Sequence, residues 1–202
     1  MDFERHATLF SAPRVPTCKG TAREEEMKRM FRVKGKGHQD RIWHENTIRR
    51  IADIDIGAGI ILSATYFEWC VRRGILALGC SSVKDLSCQL RSSKLNFDAL
   101  VELWKVEVAN RFGAKFNLPI LFDKLKNKPK FGSLSLTWQN IQKARKQRHS
   151  IVHGDRCSPL EIHGRKYVEL LIAASAVLSN VVDENGYSIF NVIRRKNSVT
   201  KE

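Results

Sequence analysis

Apolar positions recur at intervals of three and four along most of the chain, and long alternating strands are absent. The pattern predicts an all-α protein, a helical bundle of about four to six helices. Gln39 to Leu78 is the longest helical stretch, and it reads as two helices joined near Asp55–Gly59, where two glycines fall in IDIGAGI. Its second half, Ile60 to Leu78, is apolar on most sides, which places it at the centre of the bundle, with Tyr66, Phe67, Trp69 and Cys70 packed. Glu68 is the acid among them, and Arg72 four residues on is its expected partner. A turn with a short helix follows over Gly79–Ser93, then a strong helix over Phe97–Phe112. A break at Asn117–Pro119 and a short helix over Ile120–Leu125 lead into the basic loop KLKNKPKFG. Ser135 or Thr137 caps a helix running to about His153, ended by Gly154. The last helix covers Gly164–Val182. The domain reading is a loose basic arm with a short helix over 1–38, the bundle over 39–183 and a basic tail over 184–202.

Charge changes the picture from fold to partner. Lys and Arg number 35 against 21 Asp and Glu, a net +14 on 202 residues. Such a field attracts polyanions, and nucleic acid is the expected one, an anionic membrane surface the rival. The uncharged run Ile56–Phe67 is twelve residues long, too short to span a bilayer as a helix. The N-terminal MDFERHATLF is interrupted by charges and lacks the apolar region of a signal peptide. Five cysteines, with no C-x-x-C pair, read as free thiols in a reducing compartment, so a cytoplasmic protein is expected.

The segment ARKQRHSIVHGD, Ala144 to Asp155, carries the candidate chemistry. At about 100° per residue, Ile141, Ala144, Arg148, Ile151 and Val152 share a face, so Arg148 interrupts an apolar stripe. A half-buried guanidinium is costly unless it meets an anion or a hydrogen-bonded partner. Arg145, His149 and His153 form a second stripe at i,i+4 spacing. Three readings follow. Arg148 pairs with an acid such as Glu68, and the histidines cap carbonyls. Alternatively His149, His153, Cys157 and His163 supply zinc ligands, although two arginines beside them repel a dication. Or the segment performs metal-free phosphoryl chemistry, a histidine moving a proton near neutral pH and an arginine holding phosphate charge.

R-H-S-I-V-H-G, Arg148 to Gly154, resembles the R-x4-6-H motif of HEPN domains, all-α bundles found in many RNA-cutting toxins and defence proteins. Arg148 matches the arginine, His149 the polar position after it and His153 the histidine. The upstream helix ATYFEWCVRRGIL is similar to the long helix that packs across the bundle in stand-alone members. The resemblance implies a metal-independent endoribonuclease with no cofactor, a toxin or antiviral effector, that cuts RNA through its own 2′-hydroxyl. In it His153 is the general acid or base, Arg148 neutralises the phosphorane, and His149 orients the phosphate. It also implies a homodimer with a composite active site, with an antitoxin or regulatory protein as a further partner. Arg145 and the loop lysines Lys124, Lys126, Lys128 and Lys130 are the expected RNA contacts. The alternative is a non-catalytic HEPN-like module that binds nucleic acid or a protein.

Overall fold

The computed structural model describes residues 38–91, 95–125, 129–131, 134–154 and 160–190. All lie in the second of the two units into which the chain divides, Lys34–Glu202. The described residues form an all-α bundle. Helix α1 (His38–Ile54) meets α2 (Ile56–Leu78) across the single residue Asp55, whose carboxylate caps α2 by accepting from the Ala58 N–H at 3.1 Å. The expected joint thus falls at Asp55 itself. Short α3 (Val83–Leu90) starts on the Ser82 cap and α4 (Phe97–Trp104) on Asn96. α4 continues through a π-helical turn, Lys105–Ala109, into Asn110–Phe112. Helix α5 (Leu118–Asp123) takes Pro119 in its first turn, where a missing N–H costs nothing, so the expected break is a helix start. α6 (Trp138–Val152) starts on the Thr137 side chain, which accepts from the Asn140 N–H, and α7 (Leu160–Glu184) closes the bundle.

The basic loop after α5 contains one feature that the apolar pattern does not predict. Strand β1 (Lys130–Phe131) pairs antiparallel with β2 (Leu134–Ser135). Two residues a side are too few for alternation to register. The hairpin packs on α7, and Leu136 behind it is fully buried.

Helices α2 and α7 form the central pair. They run parallel: Gly164 lies against Ile56 and Ile60 at one end, and Arg73 reaches the Ile189 and Phe190 carbonyls at the other. Small residues permit the close approach, with Ser63, Ala64, Ala174, Ser175 and Ser179 all buried. The Ser63 and Ser175 hydroxyls donate to carbonyls of their own helices, which satisfies them inside the core. α1 runs antiparallel to α7, tied by Arg49 to Glu169 and by Arg41 to Asn180. α6 lies antiparallel to α2, because Gly57 neighbours Ile151 while Glu68, further along α2, reaches back to Arg145. The bundle extends past the expected end at 183, since Ile189 and Phe190 are buried. Residues 1–37, with the short helix expected in the basic arm, and residues 191–202 of the basic tail lie outside the described residues. No helix among the described residues is long and apolar enough to cross a membrane.

Candidate functional site

The site is built on the second half of α6, against the middle of α2. Glu68 is the organising acid. Its Oε1 accepts from Arg145 Nη2 at 3.1 Å and Nε at 3.3 Å, and from Arg148 Nη1 at 3.5 Å. The expected Glu68–Arg72 pair does not form. Arg72 donates instead to the Leu90 and Leu95 carbonyls, the first of them the orphan carbonyl at the end of α3. Glu68–Arg148, the alternative pairing, is the one present.

The two arginines differ in what they have left to give. Arg145 is 16% exposed, its guanidinium 3.3 Å from the Phe97 ring centroid, and it also donates to Gln142. Burial lowers its pKa, with the Glu68 carboxylate opposing. It is a packed structural cation, turned away from the substrate-contact role expected of it. Arg148 is 39% exposed and holds Glu68 only at the long end of hydrogen bonding. Its Nε is sealed from water with no partner among the described residues. A buried donor left open costs about 1–3 kcal/mol, and an anion meets this guanidinium only at its exposed part, not at the sealed Nε. Arg148 is the expected odd cation of the apolar stripe, and it remains available to an anion.

His149 and His153 stand at the exposed end of the same helix, ring centroids 4.2 Å apart at 52°. His153 is the C-cap residue, and its N–H donates to the His149 carbonyl. Gly154 follows at φ +73°, the left-handed conformation that ends a helix cheaply only with glycine. Both imidazoles therefore stand exposed at the last turn of α6, while Arg148 on the same stretch of helix turns to Glu68. Cys157 lies outside the described residues, and among those described no group of three or more His, Cys, Asp or Glu side chains is placed to hold a metal.

Of the expected lysine contacts, Lys126 and Lys128 lie outside the described residues. Lys130 is exposed on β1, paired through its backbone with Ser135. That hairpin feeds directly into the Thr137 cap, so Lys130 stands at the start of α6 and His153 at its end. The helix between them is about 22 Å long at 1.5 Å per residue. The hairpin does not bring Lys130 to the histidines.

Sequence spacing missed the double role of Glu68, although a lone acid inside an apolar helix was the available signal. Nothing in the spacing pointed to Phe97 beneath Arg145. Two exposed apolar residues complete this end of the bundle, Ile54 at 73% and Val152 at 58% exposure. No protein-family model, curated protein or solved structure matches this chain.

Proposed function

We propose that the protein is a metal-independent endoribonuclease of HEPN-like type. The observation that carries this reading is Arg148, a partly exposed guanidinium held by Glu68 only at 3.5 Å, on the same end of α6 as the exposed His149–His153 pair of a strongly basic chain. RNA supplies the nucleophile. His153 takes the 2′-hydroxyl proton as the 2′-oxygen attacks phosphorus. Arg148 compensates the extra charge of the phosphorane. The bond to the 5′-oxygen breaks, and that oxygen leaves with a proton, giving a 2′,3′-cyclic phosphate and a 5′-hydroxyl. His149 holds a non-bridging oxygen. A second copy of the chain facing the first across a twofold axis supplies the acid on the leaving side, and the apolar Ile54 and Val152 beside the site suit such a contact. A toxin or antiviral role, kept in check by an antitoxin or regulatory protein, is consistent with an RNA-cutting activity.

One observation favours a non-catalytic RNA-binding module instead. Neither imidazole makes a side-chain hydrogen bond among the described residues, so nothing there orients the ring for proton transfer. Incubating single-stranded RNA with the purified chain in EDTA separates the two readings. The nuclease cuts under these conditions and His153→Ala does not. A wild-type chain that binds RNA but leaves it intact is the module.

A further inference from the structure

His149 and His153 lie one turn apart at the end of α6, and both are exposed. Their ring centroids are 4.2 Å apart, with the planes at 52°. The i,i+4 spacing puts them on one side of the helix. His153 is the C-cap residue, and its N–H donates to the His149 carbonyl at 3.0 Å, so the backbone beneath both rings is set. Neither ring makes a side-chain hydrogen bond among the described residues. A neutral imidazole carries one nitrogen lone pair, and no described residue takes it from either ring.

Two such nitrogens reach a single small cation. Zinc binds imidazole nitrogen at about 2.0–2.1 Å, so two ligating nitrogens on a tetrahedral ion stand about 3.4 Å apart. Rings with centroids 4.2 Å apart span that distance by turning about their side-chain bonds. The repulsion of a dication expected from the two neighbouring arginines is also reduced. Arg145 and Arg148 turn to the Glu68 carboxylate, and Arg145 is 16% exposed. Lys146, one turn before His149, is an exposed cation that stays on this side. We propose that His149 and His153 chelate a divalent transition-metal ion, zinc or one of like preference, and that the bound ion switches the site off. The switch, unlike the chelate, rests on the ribonuclease reading.

The site differs from a four-ligand zinc centre, since no third His, Cys, Asp or Glu joins the pair among the described residues. Water completes the coordination. No carboxylate or carbonyl among the described residues orients either ring from behind, as the partners of tightly held metals do. Two ligands without such support give a loose, exchangeable site, suited to a reversible inhibitor rather than a structural ion. Imidazole nitrogens favour zinc, copper and nickel over magnesium, which takes oxygen ligands. In the proposed reaction His153 accepts the 2′-hydroxyl proton on its one lone pair. A metal ion on that lone pair blocks the transfer, and it draws His149 away from the phosphate.

The probe is Zn²⁺ alone, titrated into the full, untagged chain and followed through the imidazole nitrogen resonances. The His149 and His153 signals should shift together and stop at one equivalent, while buried His44 stays unmoved. In His149→Ala the His153 shift should be lost at the same zinc level, and the reverse in His153→Ala. Mg²⁺ should move neither ring. Cys80→Ser/Cys88→Ser, which removes two exposed thiols, should respond as the wild type does. A shift of one ring alone, a shift that survives loss of the other histidine, an equal response to Mg²⁺ or a response lost with the thiols overturns the chelate. Cleavage of one RNA is then followed with and without zinc. Zinc should lower the wild-type rate by about 10²–10⁴-fold, the usual weight of an acid–base group, and EDTA should restore it. His149→Ala should need more zinc for the same fractional loss. If both rings shift but zinc leaves the rate unchanged or raises it, the switch fails and the chelate stands. If both rings shift and no RNA is cut even in EDTA, the ribonuclease reading fails and the switch with it, and the chelate stands alone.

Discussion

Arg145 and Arg148 sit three positions apart on α6, share the carboxylate of Glu68, and have opposite uses. Arg145 is committed by the Phe97 ring at 3.3 Å and by two bonds to Glu68. Replacing it by Met removes a desolvated cation–π contact worth about 2 kcal/mol and leaves Glu68 with its weaker partner. A lower urea midpoint for Arg145→Met is therefore expected. Arg148→Ala leaves Glu68 paired with Arg145, so its midpoint should stay within about 0.5 kcal/mol of wild type while RNA cleavage collapses. Comparable destabilisation in both variants would make Arg148 a structural residue as well. Arg148 was legible in the sequence because a cation in an apolar stripe breaks a local period. Glu68 was among the acids expected for it, as a lone carboxylate in an apolar helix, although no spacing rule links residues 80 positions apart. The i,i+4 rule pointed Glu68 at Arg72, which is drawn off by the free carbonyls of Leu90 and Leu95.

Among the elements, the close contacts around α2 set how firmly the site is held. A Cβ added at Gly59 would run into the Ala52 side chain and lie 2.8 Å from its backbone Cα, which cannot yield without moving α1. Overpacking of this kind costs about 1–3 kcal/mol, so Gly59→Ala should lower the thermal midpoint. An unchanged midpoint would mean that α1 shifts freely. His44 docks α1 against α2 and the C-terminal segment, stacked on Tyr66 and on Phe190. Burial holds its pKa below the ordinary 6.5, against the pull of Asp40. The unfolded chain then binds a proton that the folded chain refuses. This contribution to stability is complete above pH 6.5 and drains away as pH falls toward the folded-state value. Urea unfolding from pH 8 to 5 should show the loss, and His44→Gln should flatten it. A slope that survives in His44→Gln assigns the effect to another group. The long helices were legible from periodicity and from the Asp55 and Thr137 caps. The two-residue hairpin was not, and neither was the docking of Ile189 and Phe190, which depends on Arg73 donating to their carbonyls.

For the whole molecule, one chain presents one Arg148, a guanidinium partly open to an anion, on the same helix as one pair of histidines, and the proposed reaction places a proton-transfer group on each side of the phosphate. Association through the end of the bundle carrying Ile54 and Val152 would satisfy both that need and their exposure. Sedimentation at micromolar concentration should give about twice the 23.1 kDa chain mass, and Val152→Asp should halve it and abolish cleavage. A strict monomer that cuts RNA would remove the composite site. The net charge of +14 was readable at once, whereas which of its basic side chains face outward required the fold. The central claim is that Arg148 and His153 cut RNA through its own 2′-hydroxyl without a metal. Its most direct test is the single-turnover cleavage of one RNA in EDTA, alongside the same strand with a 2′-deoxy residue at the cut position. The wild type should cut only the all-RNA strand and leave a 2′,3′-cyclic phosphate, with Arg148→Ala and His153→Ala each slower by about 10²–10⁴-fold. Cleavage of the deoxy-substituted strand at the wild-type rate, or full activity in both variants, would contradict it.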